Sequence, residues 1–181
     1  MSTPRDLRKD REALLDAEKL RSILAYDPET GVFNWLSGAQ RRAGTVETNG
    51  YVAVRIDRMH FLAHRLAWLY VHGKWPDAYI DHKDGDKTNN RIANLRPATK
   101  QQNMHNAVMQ RNNTTGSKGV SWCKRRQKYR VCASLDGKYY HGGYFLNIDD
   151  AIDSASALRE TLHGSFANHG AHVSEQAAAT V

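Results

Sequence analysis

The chain has 181 residues, enough for one medium domain or two small ones. Its formal charge of +7 favours a polyanionic partner, nucleic acid before an anionic membrane. A membrane role is set aside, because no apolar run approaches the roughly 20 residues of a spanning helix and the opening MSTPRDLRKDREALL lacks a signal-peptide core. Cys123 and Cys132 are too few for a four-cysteine zinc site, and a reducing cytoplasmic compartment is expected.

In chain order, residues 3–25 read as helix, with Leu7, Leu14, Leu15, Leu20, Ile23 and Leu24 apolar among charges. Asp16 is placed to cap a second segment, which leaves residues 1–19 as an N-terminal helical arm. Asp27-Pro28-Glu29-Thr30-Gly31 is a turn, and Val32 to Leu36 a strand. Residues 37–49 read as a basic loop carrying Arg41 and Arg42. Tyr51 to Asp57 alternates as a strand, and RMHFL continues it after a turn. A helix begins at Leu62, with Leu66, Leu69 and Tyr70 at helical spacing and Gly73 and Pro76 behind it as stop signals. Ala78 to His82 is a short strand and Lys83 to Asp86 a turn. Thr99-x-x-Gln102 is a capping box, so a helix is predicted from Lys100 to Val108 with Asn103 in its first two turns.

Residues 109–118 are polar and read as a linker, Asn112, Asn113 and Ser117 included. GVSWCKR, KYRVCASL and KYYHGGYF are three strand candidates, the last two joined at Asp136-Gly137. Residues 148–163 form a helix ended by Gly164, and the tail from Asn168 has no pattern and is expected to be disordered. Charge is segregated here. Lys118, Lys124, Arg125, Arg126, Lys128, Arg130 and Lys138 face one acid, Asp136, over residues 112–147, whereas the helix carries Asp149, Asp150, Asp153 and Glu160 against Arg159. In KYRVCASL, Tyr129, Val131, Ala133 and Leu135 share the face that covers the helix, while Lys128, Arg130, Cys132 and Ser134 share the other. A basic sheet face of this kind fits a DNA groove. Trp122 reads as core, and the cysteines as small strand residues.

The segment YIDHKDGDKTNNRIANLRPATKQQNMHN crowds asparagines around Asp81 and His82, either as a polar surface loop or as a site. Phosphodiester hydrolysis requires that a water lose its proton and that charge on the phosphate and the leaving 3′ oxygen be neutralised. A neutral imidazole and one divalent cation supply both, and magnesium prefers oxygen ligands such as Asp81 and the amide of Asn103. Asn94 is placed to hold His82 or its loop through side-chain hydrogen bonds. His105 is a rival ligand about 200° around the helix from Asn103. His64 reads as structural, and Arg91 and Arg96 as phosphate contacts or solvated charges.

Asp81-His82, with Asn94 twelve residues after the histidine and Asn103 nine further on, resembles the HNH endonuclease signature, the ββα-metal motif, in its phage and intron-encoded form. HRLAWLYVHGKWP before the motif and ATKQQN behind it match that form too. The resemblance implies His82 as general base, Asp81 and Asn103 as metal ligands and Asn94 as the orienting residue. The second unit resembles the Apetala-type DNA-binding domain, which reads DNA with a three-stranded sheet. The expected fold is α+β: a ββα-metal HNH nuclease domain over 20–108, a linker over 109–118, a three-stranded antiparallel sheet plus helix over 119–167, and a tail over 168–181. The expected function is a homing-like DNA endonuclease, nicking double-stranded DNA with magnesium first and manganese as the alternative. It would act in the cytoplasm of a phage-infected bacterium, with no obligatory protein partner. Lys124, Arg125, Arg126, Lys128, Arg130 and Lys138, with Arg41, Arg42 and Arg91, are the candidate DNA contacts. The alternatives are a DNA-binding regulator with an idle nuclease site, and a weakly specific nuclease of restriction or packaging.

Overall fold

The computed structural model describes residues 7–38, 41–106, 109 and 113–169, with His105 as backbone only. The first six residues of the expected arm, the predicted helix end at 107–108, Asn112 of the linker and the tail beyond His169 lie outside the described residues. The chain divides into two compact units, one up to Pro97 and one from Ala98.

In the first unit, the single helix expected at the start is two: α1 (Leu7–Glu12) and α2 (Ala17–Ile23). Asp16 caps α2, its side chain accepting the Lys19 N–H at 2.8 Å. Leu24, expected to be helical, instead opens β1 (Leu24–Asp27), because its register against Trp35 of β2 (Val32–Trp35) outweighs the helical spacing. The region expected as a basic loop holds two short strands, β3 (Arg42–Ala43) and β4 (Thr45–Val46). β3 pairs with β2, and β4 with β5 (Val52–Ile56), which turns at Asp57-Arg58 into β6 (Met59–Leu62). α3 (Ala63–His72) follows at once and ends on Gly73 in the left-handed conformation. β7 (Tyr79–His82) pairs with β8 (Leu95–Ala98), a strand the sequence reading missed. The core is Leu20, Leu24, Phe33, Val54, Leu66 and Leu69, so α3 lies deep enough to take His64 and Arg65 inside with it. Arg65 is matched there by Glu12 of α1, through bonds of 2.6 and 2.9 Å, and also donates to the carbonyls of Pro76 and Ala78.

In the second unit, α4 (Lys100–His105) starts on the predicted capping box of Thr99 and Gln102. An antiparallel sheet of β9 (Val120–Cys123), β10 (Lys128–Leu135) and β11 (Lys138–Phe145), with β10 central, packs on α5 (Ile148–His163). Val120, Val131, Ala151 and Ala155 are the buried centre. Asn168, expected to begin the disordered tail, is buried and donates to the Asn106 carbonyl at 3.0 Å. Trp122, expected in the core, is 43% exposed: it stands across from Tyr129 on the helix side of the sheet and packs edge-on against that ring, outside the small buried centre. Among the described residues no helix is long and apolar enough to cross a membrane. The architecture is mixed helix and sheet, as an α+β fold requires.

Candidate active site

β7 carries Asp81 and His82 at its buried end. Consecutive strand residues point to opposite sides, and the two make different partnerships. Asp81 Oδ2 accepts from Arg96 Nε on the paired strand β8 at 2.8 Å, with both side chains largely buried. Arg96 is therefore engaged with a carboxylate of the site rather than standing as a solvated charge. His82 is 4% exposed, and its Nε2 lies 3.2 Å from Oδ1 of Asn90. Its ring meets His64 edge-on at 5.0 Å, and Tyr51 packs against both rings, at 5.2 Å from His64 and 5.9 Å from His82. Burial pushes the His82 imidazole below the ordinary histidine value, although the Asn90 bond and the nearby carboxylates of Asp84, Asp81 and Asp86 pull the other way. His82 is thus a neutral imidazole at pH 7. Burial lowers His64 further, with His82 and Arg65 adding to it. Tyr51 is raised by burial and then by Asp81.

The loop after β7 is held by its own side chains. Asn94 Nδ2 donates to Asp84 Oδ1 and to the Asn89 carbonyl, both at 2.9 Å, and its Oδ1 accepts the Asp84 N–H at 3.2 Å. The Lys83 N–H donates to the Asn94 carbonyl at 2.9 Å. Of the two tasks open to Asn94, holding His82 or holding the loop, these bonds serve the loop. Asn90 makes the bond to His82.

Asp81 offers a carboxylate oxygen of the kind magnesium and manganese take, and these ions keep much of their water when bound. Among the described residues no three His, Cys, Asp or Glu side chains converge as a metal site.

The HNH endonuclease family matches residues 61–105, the stretch from β6 through α4 that holds Asp81, His82, Asn94 and Asn103. Protein 3.8 of Escherichia phage T7 is 34% identical over 105 residues, covering 58% of this chain and 86% of that protein. The chain belongs to the HNH endonuclease family. A second relative, Uncharacterized HNH endonuclease L560 of Acanthamoeba polyphaga mimivirus, is 32% identical over 106 residues. That alignment takes in 58% of this chain and 54% of the mimivirus protein. No solved structure matches the chain. Membership implies a nuclease with DNA as substrate, and HNH nucleases generally use a divalent metal.

The HNH residues do not all fall in one compact unit. Asp81, His82 and Asn94 lie in the first, and Asn103, half-buried on α4, lies in the second. Arg41, Arg42 and Arg91 are exposed on the first unit. In the second, Lys124, Arg125 and Arg126 are exposed on the β9–β10 turn, and the Arg126 guanidinium lies 4.5 Å over the Tyr144 ring. Arg130 stands across from Tyr144 and Ser121, Lys128 across from Cys123, and Ser134 across from Tyr139, so one sheet face carries cations and tyrosines together. Lys138 pairs with Leu135 and so falls on the other face. Sequence reasoning missed Asn90 as the partner of His82. Tyr51 gave no sequence signal for the site, and His64 its position at the head of a helix and its place in HRLAWLYVHGKWP.

Proposed function

We propose that the chain is a metal-dependent, homing-type endonuclease of phage that nicks double-stranded DNA. The observation that supports this most is His82 itself, a buried, neutral imidazole fixed by Asn90 inside the stretch that matches HNH endonucleases. His82 takes a proton from the attacking water, the water oxygen bonds to phosphorus, and the bond to the 3′ oxygen breaks, leaving a 5′ phosphate and a 3′ oxyanion that becomes the 3′ hydroxyl by taking a proton from solvent. The carboxylates of Asp81, Asp84 and Asp86 then favour the imidazolium that forms. A divalent cation, magnesium first and manganese second, would be held by the Asp81 carboxylate, with Asn103 the further ligand that the HNH motif implies, and would supply positive charge at the phosphate and the leaving oxygen. Asn94 keeps the 83–89 loop in shape around this chemistry.

In this reading the nuclease portion runs over 20–108, since the family match reaches α4, and the linker over 109–118 leads to an Apetala-type DNA-binding portion over 119–167. The cationic sheet face of Lys128 and Arg130, with Lys124, Arg125 and Arg126 at its turn, holds DNA, and Arg41, Arg42 and Arg91 contribute phosphate contacts. The setting is the cytoplasm of an infected bacterium.

Supercoiled plasmid and phage genomic DNA, incubated with wild type and with His82→Ala, each with magnesium and with excess chelator, test the reading. Relaxed circles or nicked genomic DNA from wild type with metal alone are expected. Relaxation that survives His82→Ala would mean that another group is the base. Binding to both DNAs without a cut in either would favour the regulator with an idle site.

A further inference from the structure

We propose that Tyr26 and the 27–31 turn are positioning elements for His82: acting through Asn90, they hold its ring in the tautomer that carries Nε2–H and makes Nδ1 the basic nitrogen. This rests on His82 as the general base. Both elements lie outside the stretch that matches the HNH family.

The tautomer follows from the hydrogen bonds of Asn90, which is 2% exposed. Its Nδ2 donates to the Thr88 carbonyl at 3.0 Å, which fixes the orientation of the amide and turns Oδ1 toward His82 Nε2. An amide oxygen only accepts, so the ring nitrogen facing it must carry the proton. A neutral imidazole has one N–H, and Nδ1 therefore holds the lone pair.

Asn90 is in turn held from the far end of the first unit. The Tyr26 hydroxyl on β1 donates to the Asn90 carbonyl at 2.7 Å across 64 residues of sequence. Its ring is fixed between Phe33 and Tyr70, with centroids 4.6 and 5.6 Å away. Burial, and then the charge of Asp27, raise the phenol above its ordinary value, so the hydroxyl remains a donor. The turn that follows presses on the same backbone. Gly31 is in the left-handed region at φ 73°, and a Cβ there would come within 2.4 Å of Arg91 N and 2.5 Å of Asn90 C. The Ile92 N–H donates to the Pro28 carbonyl at 3.3 Å. Asp27 ties the turn, accepting the Glu29 N–H at 2.9 Å and the Thr30 hydroxyl at 2.7 Å. A core phenylalanine at position 26 would fill the same space; the hydroxyl adds hydrogen bonds to the 90–92 backbone, the one to Asn90 reaching the residue that faces the base.

The test reads the tautomer and the cutting separately. Two-bond proton–nitrogen spectra of the full chain with labelled histidine, without metal, report which nitrogen of His82 is protonated in wild type, Tyr26→Phe, Asn90→Ala and Asn90→Asp. Wild type is expected to show Nε2–H. Asn90→Ala should give a mixture, Tyr26→Phe a partial shift toward it, and Asn90→Asp the wild-type tautomer, because a carboxylate also only accepts. A merely structural Asn90 would not separate the last two variants. In plasmid cleavage, kcat should fall roughly 10-fold for Tyr26→Phe and roughly 100-fold for Asn90→Ala, within the range of a positioned base, with KM for DNA unchanged. Nδ1–H in wild type, or a Tyr26→Phe protein with the wild-type spectrum and kcat, overturns the proposal. A wild-type protein that shows Nε2–H but cuts no DNA would remove the nuclease reading and leave the clamp standing.

Discussion

His64 and His82 press two imidazoles edge to face, 5.0 Å between centroids, with 4% of each residue exposed. Burial disfavours a cation on either ring, so both folded values lie below the unfolded one of about 6.5. At a pH between the folded and unfolded values the unfolded chain binds more protons, and stability therefore rises with pH. The contribution is fully present above about 6.5 and is lost as pH falls below it. Melting temperature is expected to drop from pH 7.5 to pH 5, and His64→Phe, which removes one of the two groups, should flatten that drop. A drop of equal size in the variant would show that His64 does not contribute. If His82 is the base, as proposed, the same burial keeps it competent in mild acid, and the acid limb of kcat/KM should lie below the ordinary histidine value. Asp81 and His82 were legible in the sequence as a pair at family spacing. Asn90 was not, since five asparagines crowd the 79–106 segment and only the path of the loop decides which of them reaches the imidazole.

Among the elements, β10 and α5 declared themselves by alternation and by helical spacing, and the structure holds both within a residue or two of the expected ends. β3 and β4, of two residues each, have no period to read, and β1 hid at the end of a helical pattern. Gly142 is the least legible residue of the second unit. The register slips at a bulge between Val131 and Cys132, and a Cβ on Gly142 would come within 2.4 Å of Val131 Cγ1. Val131 is fully buried in the small core, so it cannot give way cheaply. Gly142→Ala is expected to destabilise the chain by about 1–3 kcal/mol, the usual scale of overpacking. Urea unfolding would read it, and an unchanged midpoint would mean that the sheet relaxes around the methyl. The pair of Glu12 and Arg65 ties α1 to α3 with little water around it. Glu12→Gln leaves a buried guanidinium without its counter-charge and should cost about 3–5 kcal/mol, again read by urea. A loss under 1 kcal/mol would place α1 outside the cooperative core of the first unit.

For the whole molecule, the net charge of +7 is unevenly spread, and the cations on the outer face of β10 lie in a different compact unit from Asp81 and His82. Affinity and chemistry should then separate under mutation. Each cation withdrawn from a phosphate reduces the slope of log K against log salt by about 0.9, so the double variant Lys128→Gln, Arg130→Gln should lower it by about 1.8 if each cation meets one phosphate. KM for DNA should rise, most steeply at low salt, while kcat at saturating DNA stays at the wild-type value, because neither residue belongs to the proposed catalytic set. Lys138→Gln is the internal control. Lys138 sits across from Leu135 on the helix side of the sheet, and its removal should leave the salt slope near wild type. A slope that responds to Lys138 as much as to Lys128 and Arg130 would mean that net charge alone, and not one sheet face, attracts the DNA. A fall in kcat with KM unchanged would mean that the β10 cations take part in the chemistry.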